Sequence, residues 1–204
     1  MRAPLFPLPT TVLFPGARMP LHIFEPRYRR MLADALATDR RIAMGLAVDG
    51  GIRPLCGVGR IVRHEPFADG TSDIVLEGEC RARILAVAKQ EGGYLMADLD
   101  RLEETADPAG ARGLAEPLRA VLEASFRAVH GEKGEPLLAG LLAGEEGAGR
   151  LADLAAELLL EHPMQRQRVL EALDPLERLR AAALPLGIRL APPPPLPPSG
   201  PALN

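Results

Sequence analysis

The chain has no tryptophan, only two tyrosines and five phenylalanines, and Lys89 and Lys133 are its only lysines. Readers of single-stranded RNA need aromatic platforms along a basic groove. This composition, with a formal net charge of −3, argues against that class and against polyanion binding in general. Neither lysine stands in the G-x-x-x-x-G-K-[ST] pattern whose backbone amides and ammonium hold nucleotide phosphates; Lys133 is followed by Gly134. The serines are Ser72, Ser125 and Ser199, and none has the setting of an activated nucleophile. His22, His64, His130 and His162 lie far apart, without an H-x-x-x-H or paired C-x-x-C to preorganise a tetrahedral site, so no metal and no other cofactor is expected. Two cysteines are too few for a disulfide framework and point to a reducing cytosol. Prolines at 4, 7 and 9 interrupt any apolar leader. No apolar run reaches the roughly 18 residues of a membrane span. A cytoplasmic protein with no membrane partner is expected.

Proline is abundant, and its placement organises the N-terminus. In Phe6 to Tyr28, three apolar pieces, Leu5–Leu8, Val12–Phe14 and Pro20–Phe24, are punctuated by Pro7, Pro9, Pro15, Gly16, Pro20 and Pro26. Each piece can be extended, but none can be helix interior. Pro15-Gly16 is a turn dipeptide, and Pro26 suits the first position of a helix. The expected order is strand, tight turn, strand, helix, with the helix running to about Ala37 on a stripe of Tyr28, Leu32, Ala35 and Leu36. Strands are expected at Ile42–Val48, at Cys56–His64 with close-approach glycines at 57 and 59, and at Tyr94–Leu102. From Ile74 to Ala88 the even positions are apolar or small, while Glu77, Glu79, Arg81 and Arg83 occupy odd ones. That alternation predicts one core face and one wet face. Gly78 is the expected bend that lets this long strand serve two parts of a curled sheet.

Beyond an acidic, small-residue stretch at 103–113 the patterning is helical. One stripe runs from Leu114 to Val129, a glycine-rich segment follows at 131–149, and a second stripe covers Leu151–Leu159. A further helix starts at Pro163. Asp174-Pro-Leu-Glu177 reads as a capping box opening a last helix that reaches Leu186. The tail PPPPLPPSGPALN is expected to be extended and disordered. The expected division is residues 1–103, a 104–112 linker, a helical part at 113–187 and a proline-rich tail at 188–204.

The proline and glycine placement in Phe6–Tyr28, its IFEPRY ending, the Ile74–Ile84 block IVLEGECRARI, and the later runs Leu151–Ala155, Gln167–Glu171 and Glu177–Leu179 together resemble the N-terminal, substrate-recognising domain of the Lon protease family. The resemblance covers residues 4 to about 187 and implies a stand-alone form, since the ATPase and protease domains of Lon have no counterpart in these residues. It implies an α+β fold: a mostly antiparallel β pseudo-barrel of the PUA-like kind with one early helix, followed by a helical bundle. It also implies a non-catalytic module that binds unfolded or extended polypeptides, with an ATP-dependent protease in trans as a further partner.

On this reading Phe24, Glu25, Arg27 and Tyr28 are candidates for a polypeptide-binding surface, although Glu25 and Arg27 also suit a network that locks the helix start. Pro15, Gly16 and Gly78 are candidate structural turns. Exposed apolar side chains, a free strand edge and an apolar cleft between the two parts are the expected means of holding clients. Two alternatives use the same scaffold: a small-molecule or RNA-binding module, and a hydrolase built around His64 or Cys56. Cys80, on the apolar face of its strand, reads as a buried, inert thiol.

Overall fold

The computed structural model describes residues 1–106, 111–142 and 147–190. Five strands close a small barrel: β1 (Arg2–Leu8), β3 (Arg41–Val48), β5 (Leu55–Pro66), β6 (Ser72–Lys89) and β7 (Leu95–Arg101), in the order β1-β7-β6-β5-β3. Parallel pairing of β1 with β3, Leu5 opposite Ala43, completes the ring, and the remaining neighbours are antiparallel. The two-residue β4 (Gly51–Ile52) pairs with the end of β3. Pro4 and Pro7 are tolerated in β1 because the strand is shared between partners: Arg2–Leu5 face β7, and Leu5–Leu8 face β3.

β6 serves two neighbourhoods, and Gly78 is where they meet. Ser72–Glu77 lies between β5 and β2 (Arg18–Ile23), whereas the later residues lie between β5 and β7. The Gly78 N–H donates to Ala17 O at 2.9 Å, and Gly78 O accepts from the Gly16 N–H at 2.8 Å. Gly16 takes φ +73° in the Phe14–Ala17 turn. Val12–Phe14 is not a strand but a buried loop lying across β5 and β6. A Cβ at Gly57 would stand 1.9 Å from Leu13 O, and one at Gly78 would stand 2.0 Å from Phe14 O. Those glycines form a trough for the loop's main chain. The observed order is therefore strand, buried plug, strand, helix.

Helix α1 (Pro26–Leu36) buries Tyr28, Met31, Leu32 and Ala35 against the barrel. Among the described residues, five more α-helices follow: α2 (Ala111–His130), α3 (Gly134–Leu142), α4 (Ala148–Leu159), α5 (Pro163–Glu171) and α6 (Pro175–Ala183). The Asp174 carboxylate caps α6, accepting from the N–H groups of Leu176 at 2.9 Å and Glu177 at 3.0 Å. A single apolar cluster joins Phe6, Phe14 and Ile61 of the sheet half to Leu118, Leu151, Leu154 and Leu179 of the helices, so both halves share one core. Ile188 and Leu190 pack against it, and the Ile188 N–H donates to Ala183 O. The proline-rich segment therefore begins anchored; its residues 191–204, like 107–110 and 143–146, lie outside the described residues.

Gly78→Ala is expected to destabilise the protein by about 2–3 kcal/mol, because the clash is with Phe14 main chain and no rotamer can relieve it. Urea unfolding would measure this, and an unchanged midpoint would contradict the trough.

Candidate functional site

Two concave regions gather polar side chains along β6. The first lies on the outer face of the three-stranded ribbon formed by β2, the first half of β6 and the end of β5. A shallow cavity of about 320 Å³ is lined by Pro20, Leu21, His22, Arg63, Glu65 and Val75, among others. Its polar side chains bond one another. His22 Nδ1 is 2.7 Å from Asp73, and the Arg63 guanidinium donates to Glu65 at 2.7 Å. Beside the groove, Phe24 is 61% exposed and Phe67 is 41% exposed. His22 stands between them, with ring centroids 6.0 Å from Phe24 and 6.2 Å from Phe67.

Local structure explains this placement. Phe24 follows β2 directly and precedes the N-cap of α1 at Glu25. Phe67 opens the β5–β6 hairpin, closed by its N–H donating to Thr71 O at 2.9 Å and by Gly70 at φ +80°. Arg27 donates to the Glu25 carboxylate at 2.9 Å, and its guanidinium lies 4.4 Å over the Tyr28 ring. Of the four residues proposed from sequence for a binding surface, Phe24, Glu25 and Arg27 therefore sit together at the surface. Tyr28 belongs to the core: it is 6% exposed, its ring lies 4.3 Å from Phe6, and burial pushes its phenol above the usual range. Phe67 was missed by sequence reasoning. Its only signal is an aromatic residue beside the Asp69-Gly70 turn.

The second region is the seam between the halves, and it corrects two expectations. Arg81, assigned by alternation to a wet face, is 1% exposed, because helices cover that part of β6. The expected apolar cleft is occupied instead by an ionic cluster. Arg81 donates to Leu170 O at 2.9 Å, to Asp153 at 2.6 Å and to Glu104. Arg178, equally buried, donates to Glu104 at 2.8 Å and lies 3.5 Å from Asp153. Burial pushes the Asp153 carboxyl up from the carboxylate range, and both guanidiniums pull against it.

Arg53 grips Glu171 with bonds of 2.8–3.0 Å, and the Gln167 amide donates to Leu55 O at 2.9 Å. A cavity of about 560 Å³ opens beside the cluster, lined by Glu79, Cys80, Arg81, Arg101, Glu103 and Glu104. Glu79 accepts from Arg41 at 2.6 Å and from Arg60 at 2.5 Å. Burial alone would raise this carboxyl, but the two guanidiniums outweigh it and hold it below the usual range.

Neither region converges on a reacting atom. Burial pushes Cys56 up to about 12 and raises Cys80 as well, which keeps both as thiols. His64 Nε2 lies 3.3 Å from Ser72 Oγ, and among the described residues no carboxylate engages the other ring nitrogen. Among those residues, too, no group of three His, Cys, Asp or Glu side chains could hold a metal, and no helix is long and apolar enough to cross a membrane.

The family model for the ATP-dependent protease La (LON) substrate-binding domain matches residues 2–184. The chain belongs to that family. It is 30% identical over 188 residues to a Lon protease of Lawsonia intracellularis and 29% identical over 188 residues to one of Aquifex aeolicus, covering 86% and 87% of this chain. It spans only 22% and 24% of those proteins. A Lon N-terminal domain protein from Xanthomonas campestris superposes with a TM-score of 0.68 at 26% identity, covering 93% of this chain and 99% of that one. The N-terminal domain of Mycobacterium avium complex Lon protease superposes with a TM-score of 0.74 at 20% identity, covering 89% and 96%, a likeness of fold. The mixed α+β architecture with a helical C-terminal part is thus the Lon N-terminal one.

Asp153→Ala is expected to cost about 3–5 kcal/mol, since it leaves two buried guanidiniums short of a counter-charge; a loss of only a few tenths of a kcal/mol in the unfolding free energy measured with urea would refute the cluster's role. Glu79 has its folded value below its unfolded one. Its contribution is therefore complete above the unfolded value and is lost as pH falls through the folded one. Glu79→Gln should lower stability at pH 7 by at most about 1 kcal/mol, with the gap to the parent protein closing in acid. A gap that widens in acid would reverse the assignment.

Proposed function

We propose that this Lon-type substrate-binding domain holds unfolded or extended polypeptide segments without transforming them, using the outer face of the β2–β6–β5 ribbon. Phe24 and Phe67 act as apolar anchors, and Glu25 and Arg27 form the rim beside them. The observation that carries this reading is the pair of exposed phenylalanines beside a groove whose polar side chains already bond one another. Exposed large aromatics flanking a concavity mark interaction surfaces, and polar groups already engaged with each other leave apolar contact as the main attraction. Such contacts tolerate many sequences, which suits recognition of damaged or unfolded chains. The curated relatives are Lon proteases, so the proposal extends to delivery of the bound segment to an ATP-dependent protease acting in trans.

The alternative of a hydrolase gains no support from thiols held protonated by burial, or from a histidine–serine contact without its orienting carboxylate. A small-molecule ligand would need the enclosure of a drug-sized pocket, and the ribbon groove is open.

Fluorescence anisotropy with a reduced, carboxymethylated and therefore permanently unfolded polypeptide tests the proposal. The native protein should bind it, and replacing Phe24 and Phe67 together by alanine should weaken binding about tenfold without lowering the melting temperature, since both rings are exposed. If the native protein shows no measurable association, or the double variant binds as tightly as the parent, client recognition by this surface is wrong.

A further inference from the structure

We infer that the client segment adds to the ribbon as a strand on the free edge of β2; this rests on the polypeptide-binding reading above. β2 pairs with β6 on one side, and among the described residues no strand pairs with its other edge. The orientation of its main chain follows from the hydrogen bonds. Gly78 donates to Ala17 O, and in an antiparallel pair successive residues turn their amides alternately toward and away from the partner. With Met19 opposite Leu76, Leu21 opposite Ile74 and Ile23 opposite Ser72, those residues face β6. Arg18, Pro20 and His22 face outward.

Their side chains are exposed, and among the described residues nothing meets the outward N–H groups of Arg18 and His22. The edge therefore presents donors at 18 and 22, carbonyls at 18, 20 and 22, and no donor at 20.

This pattern selects an occupant. Unpaired edge amides are complemented by an extended backbone, whatever its side chains. Two copies of β2 pairing with each other antiparallel about their centres would set Pro20 against Pro20, forfeiting both central bonds, so self-association is disfavoured. A foreign strand with any residue other than proline opposite Pro20 forfeits only one. A strand laid there brings alternate side chains alongside Pro20, His22 and Phe24, continuous with the groove.

The test is amide hydrogen exchange by NMR on the native protein, with and without a saturating amount of the carboxymethylated polypeptide. Exchange at Arg18 and His22 should slow at least about fivefold, the worth of one net hydrogen bond. His22→Pro, which removes an outward N–H, should bind at least about fivefold more weakly than His22→Ala, which removes only the side chain. Binding with unchanged exchange at Arg18 and His22 overturns strand addition while leaving the aromatic surface standing. Absence of binding by the native protein overturns both. A folded His22→Pro equal to His22→Ala overturns strand addition, and should that variant not fold, the exchange result on the native protein decides.

Discussion

Two guanidiniums with no access to water dictate how the halves of this molecule sit. Arg81 comes from the sheet and Arg178 from α6, while their counter-charges come from α4 through Asp153 and from the connecting segment through Glu104. Removing each ion from water costs several kcal/mol, and the cluster recovers that only when all four groups are in place. The arrangement therefore adds less to stability than to uniqueness: any other docking of helices on sheet would strand a buried charge. Main-chain acceptors complete the hydrogen bonding, since Leu170 O takes from Arg81 and Ala172 O takes from Arg178 at 3.0 Å.

The position of that cluster along β6 decides what remains free. Arg81 lies beyond Gly78, in the half of the strand that pairs with β7 and supports α4, α5 and α6. Helices cover that half around Arg81, and the half before Gly78, with β2 and the end of β5, keeps an open outer face. Arg150 strengthens the division, reaching from α4 to donate to Pro15 O at 3.1 Å; the plug loop is thereby held from the helical side as well as by the glycine trough. The outer ribbon is thus carried by a rigid body without being buried in it.

Sequence reasoning reached what depends on local rules. Prolines at 26, 163 and 175 marked where helices begin, the Asp174 cap was legible from four residues, and the alternation of β6 held from Ile74 to Ile84 except at Arg81. It lapsed where a bulge between Ile84 and Ala86 leaves Ala86 exposed. What depends on non-local contact was illegible. Alternation says that Arg81 faces away from the barrel but not what covers that face, and the only clue was Asp153 inside an otherwise apolar run of α4. The glycines at 57 and 59 announced a close approach without naming the approaching chain, which is Leu13 from more than forty residues earlier. Val12–Phe14 has the composition of a strand, but with β3, β5 and β6 already paired, it lies across β5 and β6 and packs into the core shared with the helices instead. Tyr28 was equally ambiguous, because a residue on the inner stripe of α1 can also be read as part of the surface next to it.

A ribbon that grips many chains must also let them go, and the groove's size bears on this. A concavity of about 320 Å³ accepts few side chains, and the two phenylalanines together contribute about 1.4 kcal/mol, the equivalent of tenfold in affinity. Edge hydrogen bonds add about 1 kcal/mol each, while ordering an unfolded segment costs several kcal/mol. These sums leave modest affinity for any one segment and little dependence on its sequence. Pro20 fits the same logic. A fully donating edge would pair more firmly with clients but would also pair with other copies of itself, and proline at the centre gives up one bond to a client while denying two to a self-paired edge. Weak, forgiving capture on an edge that resists its own kind is the behaviour these residues favour.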